Sequence, residues 1–378
     1  MGSGGSGSRR LRFDSQGEFP RGPRFLLAAR DGAHPAAGDP AFQTAVDSAI
    51  QNLLRQQHSA GYWLDETHTG GASETEYLLL LAWLNRLDTP EARQCARTVE
   101  AAQLPAGGWA AGTELPGFQT DGGAASQVDI GLSVRAWLAL RLAGHDPAAE
   151  HMQRARRAIR LRGGAEGISG LTKCWLAMLG QIAWSQCPVL LPEELQLPGW
   201  LPLGQGELPR WSQSVLLPVS IVRACRAVRQ PPGTSQIEEL FLTAPELMPA
   251  HAAGEKYSGS GSWRMKALER TLRLADRLRL TPFRRHLIRR SLGRLKSRRR
   301  AIGSTGGIRA AIWQIAAQVA TGADPQSARI EQSLADLSRL LRVDETTQQA
   351  HLSWVQTPVA DTAQAVLALR ESGVPAES

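Results

Sequence analysis

The residues able to do chemistry are few and scattered. Acidic side chains stand singly on predicted helices and loops, and the closest pairs are Glu74/Glu76 and Glu193/Glu194. Glu193/Glu194 follows Pro192 and reads as a solvated helix N-terminus. Glu76 falls on an otherwise apolar helix, where a buried structural hydrogen bond competes with a catalytic role. The four cysteines (Cys95, Cys174, Cys187, Cys225) form no CxxC pair. Together with the eight histidines they make no zinc-ligand spacing, so neither a disulfide scaffold nor a metal is expected. No G-x-S-x-G elbow supports a Ser/His/Asp site. Gly303-STGG lacks both the strand and the Lys of a phosphate loop. Trp (11) outnumbers Tyr (3) and Phe (7), so indoles are the main aromatic resource.

Charge is just as localised. The chain carries a formal +8, and Phe283–Arg300 (FRRHLIRRSLGRLKSRRR) holds nine basic residues and no acidic one, leaving −1 for the rest. A nucleic-acid partner would call for a basic surface spread more widely, so none is expected. No apolar run reaches the roughly 20 residues that span a bilayer; Tyr77–Leu84 (YLLLLAWL) is too short.

The elements that must position these groups read as helices. Residues 1–40 are rich in Gly, Pro, Arg and Ser and read as a flexible tail. Phe42, Val46, Ile50, Leu53 and Leu54 then follow the spacing of an amphipathic helix running into Gln57. Further helices are predicted over 74–87, 91–103, 126–142, 151–161, 171–182, 211–228, 263–280, 308–320, 328–341 and 362–371, with long loops over 188–208 and 231–262. Strand-type alternation is absent, which predicts an all-α chain. Helix–turn–helix units at roughly fifty residues suggest hairpins closed into a barrel or stacked as a solenoid.

Two of the turns share a spacing. Gln57-HSA-Gly61-Tyr-Trp63 and Gln103-LPA-Gly107-Gly-Trp109 are both Q-x3-G-x-W at the C-terminal end of a helix. Glycine permits the left-handed residue that ends a helix, indole can stack over the next unit, and the Gln amide can reach a neighbouring helix end. With these turns, the segments Glu74-TEYLLLLAWL, Asp129-IGLSVRAWLALRLAG, Gly170-LTKCWLAMLGQIAW, Trp211-SQSVLLPVSIV, Ile237-EELFL and Thr357-PVADTAQAVLALRESG resemble the squalene–hopene cyclase family of class II terpene cyclases, in family order from about Ala41 to Gly373.

The resemblance implies an all-α fold, an α/α barrel of helical hairpins over 41–345, with 346–378 as the opening helix of a second barrel. In the family that second barrel carries a D-x-D-D motif whose acid protonates the substrate alkene, and no D-x-D-D occurs here. The implied function is the N-terminal domain or subunit of a triterpene cyclase, inactive alone and completed by a partner chain bearing D-x-D-D. The alternative is a non-catalytic isoprenoid-binding or membrane-surface module. The resemblance marks Trp175, Glu76 and Asp361 as cavity candidates, with plain core packing as the competing role for Trp175. Ala360 stands where the family has a cavity Trp, and Arg299 and Thr305 replace the Gln and Trp of a third turn. No cofactor is implied. Squalene or a related isoprenoid would be the substrate, met on the inner face of the membrane by a cytoplasmic, monotopic protein. Trp211, Leu216 and Leu217 would dip into lipid, while Arg289, Arg290 and Arg298 attract anionic head groups. The stripe Ala365, Val366, Leu367 and Leu369 has no remaining chain to cover it, which predicts association or a truncated gene product.

Overall fold

A computed structural model describes residues 40–63, 70–110, 128–188, 190, 192, 195, 210–231, 237–244, 284–297, 307–352 and 358–375. The predicted tail and the predicted helix over 263–280 lie outside these residues. So do Glu193, Glu194, Arg298, Arg299, Thr305 and most of both long loops. Contacts divide the chain into two units, Met1–Gly61 with Gln364–Ser378 and Tyr62–Ala363.

In the first unit, α1 (Pro40–Arg55) is mostly exposed; Phe42 is 47% accessible. The end of α11 (Pro358–Glu371) belongs here as well. It buries Ala365 and Leu369 and exposes Val366 and Leu367.

The second unit is built from two kinds of helix, and composition sorts them. Helices α2 (Ala72–Trp83), α4 (Ile130–Leu142), α6 (Gly170–Met178), α7 (Arg210–Cys225) and α9 (Gly307–Ala320) are predominantly apolar. Every residue from Ser73 to Trp83 is buried. A helix that is apolar all round has to be covered on all sides. These five meet that demand by touching in a circle: α2 contacts α4, α4 contacts α6, α6 contacts α7, α7 contacts α9, and α9 returns to α2. The outer helices are amphipathic. In α3 (Pro90–Ala101) the buried stripe is Ala92, Cys95, Ala96 and Val99; in α5 (Glu150–Leu161) it is Met152, Ala155, Ala158 and Ile159. In α10 (Ala328–Ser338) it includes Ile330, Leu334 and Leu337. Each stripe has helical spacing and rests on a ring helix: α3 on α2 and α4, α5 on α4, α10 on α9. The fold is therefore helical and of the α/α-barrel kind. The basic helix α8 (Arg284–Ser297) exposes Arg289 and Arg290 and buries Ser291.

Local sequence starts and stops these helices. Thr89 caps α3 by accepting from the Ala92 N–H, with Pro90 at the first helical position. Asp129 caps α4 and Ser169 caps α6. The N-terminal boundary of α4 is thus at Ile130 rather than at residue 126.

Two short strands accompany the helices. Strands β1 (Leu341–Asp344) and β2 (Gln349–Leu352) pair antiparallel, Leu341 opposite Leu352. At four residues each they are too short to show alternation over a useful length. Asp344 sets the turn by accepting from Thr346 N and Thr347 Oγ1. One ring helix and one outer helix hold the hairpin: Thr98 Oγ1 on α3 donates to Ala350 O at 2.8 Å, and Leu352 N donates to Glu74 Oε1 on α2 at 2.6 Å.

Between α5 and α6, Glu166 in a short 3-10 turn (Gly164–Gly167) fixes a distant segment. Its Oε1 accepts from Leu242 N and Thr243 N, both at 2.7 Å, and from Thr243 Oγ1 at 3.0 Å. Burial pushes this carboxyl up, but the hydrogen bonds from Thr243 and Leu242 outweigh it and hold the group below its ordinary 4.5. A depressed folded value contributes stability above the ordinary carboxyl range and loses it as pH falls through the folded value. Glu166→Gln should therefore cost about 1–2 kcal/mol at neutral pH. In urea unfolding, the gap between wild type and variant should narrow as pH falls below the ordinary carboxyl range; a gap that stays constant into acid contradicts the assignment.

Candidate functional site

The indoles of the ring separate by what already occupies them. Guanidinium groups lie over three: Arg141 over Trp137 at 5.1 Å, Arg223 over Trp184 at 5.7 Å and Arg229 over Trp83 at 5.3 Å. Trp175 on α6 and Trp313 on α9 instead face each other. Their ring centroids are 4.6 Å apart, the planes tilt by 47°, and both side chains are fully buried. Neither indole N–H has a hydrogen-bond partner. The pair sits where two non-adjacent strips of sequence meet through the ring, and Gly170 lets α6 start close to Pro188, whose Cγ would lie 2.6 Å from a Cβ there.

Glu76 is buried at 1% on α2 and accepts from both flanking ring helices. Arg135 on α4 pairs with Oε1 through Nη1. Arg309 on α9 reaches Oε1 at 3.0 Å and Oε2 at 3.2 Å through Nε. Initiating alkene chemistry takes a strong acid in a dry pocket. A carboxylate gripped by two guanidiniums is an acceptor, the opposite arrangement, and its geometry is that of a tie across the ring. Asp361 is half-buried near the start of α11, and its neighbour Thr362 accepts from Trp63 N at 3.0 Å. Trp175 thus lies on α6, Glu76 on α2 and Asp361 on α11.

The two Q-x3-G-x-W turns differ in what surrounds them. Gln57 Nε2 donates to Gly61 O at 3.3 Å on an exposed surface; Trp63 is buried in the second unit. The second turn is embedded. Gln103 Nε2 donates to Gly107 O at 3.0 Å and to His151 O at 2.8 Å, and Gln103 Oε1 accepts from Arg154 Nη2 at 3.0 Å. Trp109 is fully buried, its Nε1 donating to Val99 O at 2.6 Å and its backbone N to Ser133 Oγ at 3.0 Å. This turn therefore fastens α3, α4 and α5 together. Gly107 has φ +92°, and an added Cβ would come within 2.4 Å of Arg154 O.

Leu217 on α7 is buried at 5% within the core, and Leu216 is half-buried. The Trp211 side chain lies outside the described ones. One further cluster, Glu100, His145 and His151, has no signature in residue spacing and is assembled by the packing of α3, α4 and α5. His145 Nδ1 is 3.0 Å from His151 Nε2, and Glu100 Oε1 is 3.6 Å from His151 Nδ1. Burial pushes the His145 imidazole down, against the pull of Glu100.

Gly107→Ala should destabilise the fold by about 2–3 kcal/mol, from left-handed strain of about 1–2 kcal/mol plus the clash with α5. Gly144→Ala, at φ +97° with nothing within 4 Å of the added Cβ, should cost only the strain. Chemical denaturation of both variants checks this; equal losses would mean that the α5 contact does not matter.

Residues 46–346 match the model of the squalene-hopene cyclase N-terminal domain. The squalene–hopene cyclase of Alicyclobacillus acidocaldarius is 31% identical over 342 residues, 89% of this chain and 51% of that protein. The squalene–hopene cyclase of Bradyrhizobium diazoefficiens is 30% identical over 237 residues, 62% and 34% respectively. Dammaradiene synthase of Dryopteris crassirhizoma is 26% identical over 351 residues, 91% and 48%. The chain spans about half the length of the first of these relatives. With a closed circle of apolar helices, an embedded Q-x3-G-x-W turn and a family match across most of its length, this chain belongs to the squalene–hopene cyclase family through that family's N-terminal domain.

Proposed function

We propose that this chain is the non-protonating half of a triterpene cyclase in hopanoid or related terpenoid biosynthesis, and that the initiating acid comes from a D-x-D-D-bearing cyclase subunit outside these 378 residues. The observation that carries the reading is the match to the N-terminal domain in a sequence without any D-x-D-D. The geometry supports it. The one buried carboxylate of the ring described above with two cationic partners, Glu76, acts as an acceptor. Three indole faces already hold the chain's own guanidiniums. What the domain contributes is a wall and a frame, while the proton arrives from the partner.

The substrate class under this reading is squalene or a related isoprenoid, a molecule that resides in bilayers. Attachment would be peripheral, on the cytoplasmic face. No helix among the described residues is long and apolar enough to cross a membrane. Helix α8 supports a surface mode, since exposed Arg289 and Arg290 can each attract anionic lipid by about 1 kcal/mol.

Two measurements test the proposal. The purified chain incubated with squalene should give no cyclised product, and product should appear once a D-x-D-D-bearing C-terminal cyclase barrel is added. Product from the chain alone contradicts the proposal. Saturable squalene binding without turnover in either condition favours an isoprenoid-holding module instead. In liposome flotation, the chain should rise with anionic vesicles, and Arg289→Glu with Arg290→Glu should weaken this several-fold; no flotation with either lipid charge removes the membrane part.

A further inference from the structure

Glu100 lies near the end of α3, His145 just after α4 and His151 in the first turn of α5. One ligand atom from each lies within 4.8 Å of the others. From these positions we infer that Glu100, His145 and His151 form a binding site for a divalent transition cation of the zinc class, on the outer face of the barrel and independent of the cyclase reading.

The donor distance is the first support. His145 Nδ1 and His151 Nε2 are 3.0 Å apart. Two Zn–N bonds of about 2.05 Å at the tetrahedral angle place their nitrogens roughly 3.3 Å apart. A shift of a few tenths of an ångström therefore suffices to seat an ion between the rings. Imidazole nitrogen and carboxylate oxygen are the donor types that zinc accepts, and two His with one Glu is a recognised zinc set leaving a fourth place for water.

The second support is the rigidity of the backbone behind the rings. His145 N donates to Leu140 O at 3.0 Å, which closes α4. His151 O accepts from Gln103 Nε2 at 2.8 Å, so the embedded Q-x3-G-x-W turn fixes one ligand directly. Between them, Asp146 Oδ1 accepts from Ala148 N at 2.8 Å and Gln153 Nε2 donates to Pro147 O at 2.7 Å. The connecting loop is thus tied down at four points, and preorganised ligands lose little entropy on binding. Glu100 is the mobile member: its side chain is 44% exposed, which lets the carboxylate swing from His151 Nδ1 toward the ion. The half-buried rings remain open to an ion arriving from solvent. An ion here would lock α3 to the α4–α5 connection beside the Q-x3-G-x-W turn.

Without a metal the same two nitrogens can share a single proton, so the experiment has to separate the two states. Zinc chloride titrated into the metal-free full chain, followed by calorimetry at neutral pH, should show one equivalent bound with a dissociation constant of about a micromolar or tighter. His145→Ala and His151→Ala should each weaken that binding about a hundredfold, and Glu100→Gln about tenfold. Imidazole NMR of the unmutated chain gives a second readout that does not depend on variants folding: zinc should shift the signals of His145 and His151. Absence of one-equivalent binding, retention of wild-type affinity in either His variant, or shifts confined to other histidines would each overturn the site.

Discussion

The structure depends on burying charge at the seam of an apolar ring. Glu76 sits in a helix whose every neighbour is buried, and a lone ionised carboxylate in such a place would cost several kcal/mol. Arg135 and Arg309 remove that cost only if α4 and α9 flank α2 together. The demand for partners is directional, whereas apolar packing is not. It specifies which helices adjoin α2 and so closes the circle at the point where the chain returns after more than two hundred residues. Arg86 reinforces the same closure from the solvent side. It donates to both Glu331 oxygens and to Pro325 O, and this pairing raises the guanidinium's pKa and lowers the carboxyl's.

That economy has a consequence for function. Catalysis through carbocations asks for open aromatic faces and a protonated acid in a dry pocket. In this ring several polar groups hold neighbouring elements: Glu74 the hairpin, Glu76 two arginines, Ser133 the backbone of Trp109. Trp175 and Trp313 stack on one another with both indole N–H groups unpartnered.

Much of the helical order was legible because it rests on local chemistry. The apolar run at Tyr77–Leu84 and the helix predicted over 151–161 are short-range signals, and both fall on helices or their ends, whereas the cap at Asp129 was not legible and α4 starts later than predicted. The hairpin was not legible. Its eight strand residues mix Arg, Asp, Gln and His with apolar ones, and its pairing is sustained by Glu74 and Thr98 from helices more than 240 residues earlier. The site was legible only in part. The types and positions of Glu76 and Trp175 stood out, but their partners Arg135, Arg309 and Trp313 come from helices whose adjacency is a property of ring closure. The Glu100, His145 and His151 cluster is hidden for the same reason, since spacing along the chain does not reveal packing between hairpins.

A double-mutant cycle on Glu76 and Arg309 most directly tests whether that carboxylate is the tie that closes the ring. Glu76→Gln, Arg309→Met and the double variant would be compared by chemical denaturation. The structure predicts a coupling of about 1–3 kcal/mol, with the double variant far less damaged than the two single losses added together. Additive losses, with coupling near zero, would show that the two side chains do not hold α2 to α9 and would return Glu76 to the list of groups free for chemistry.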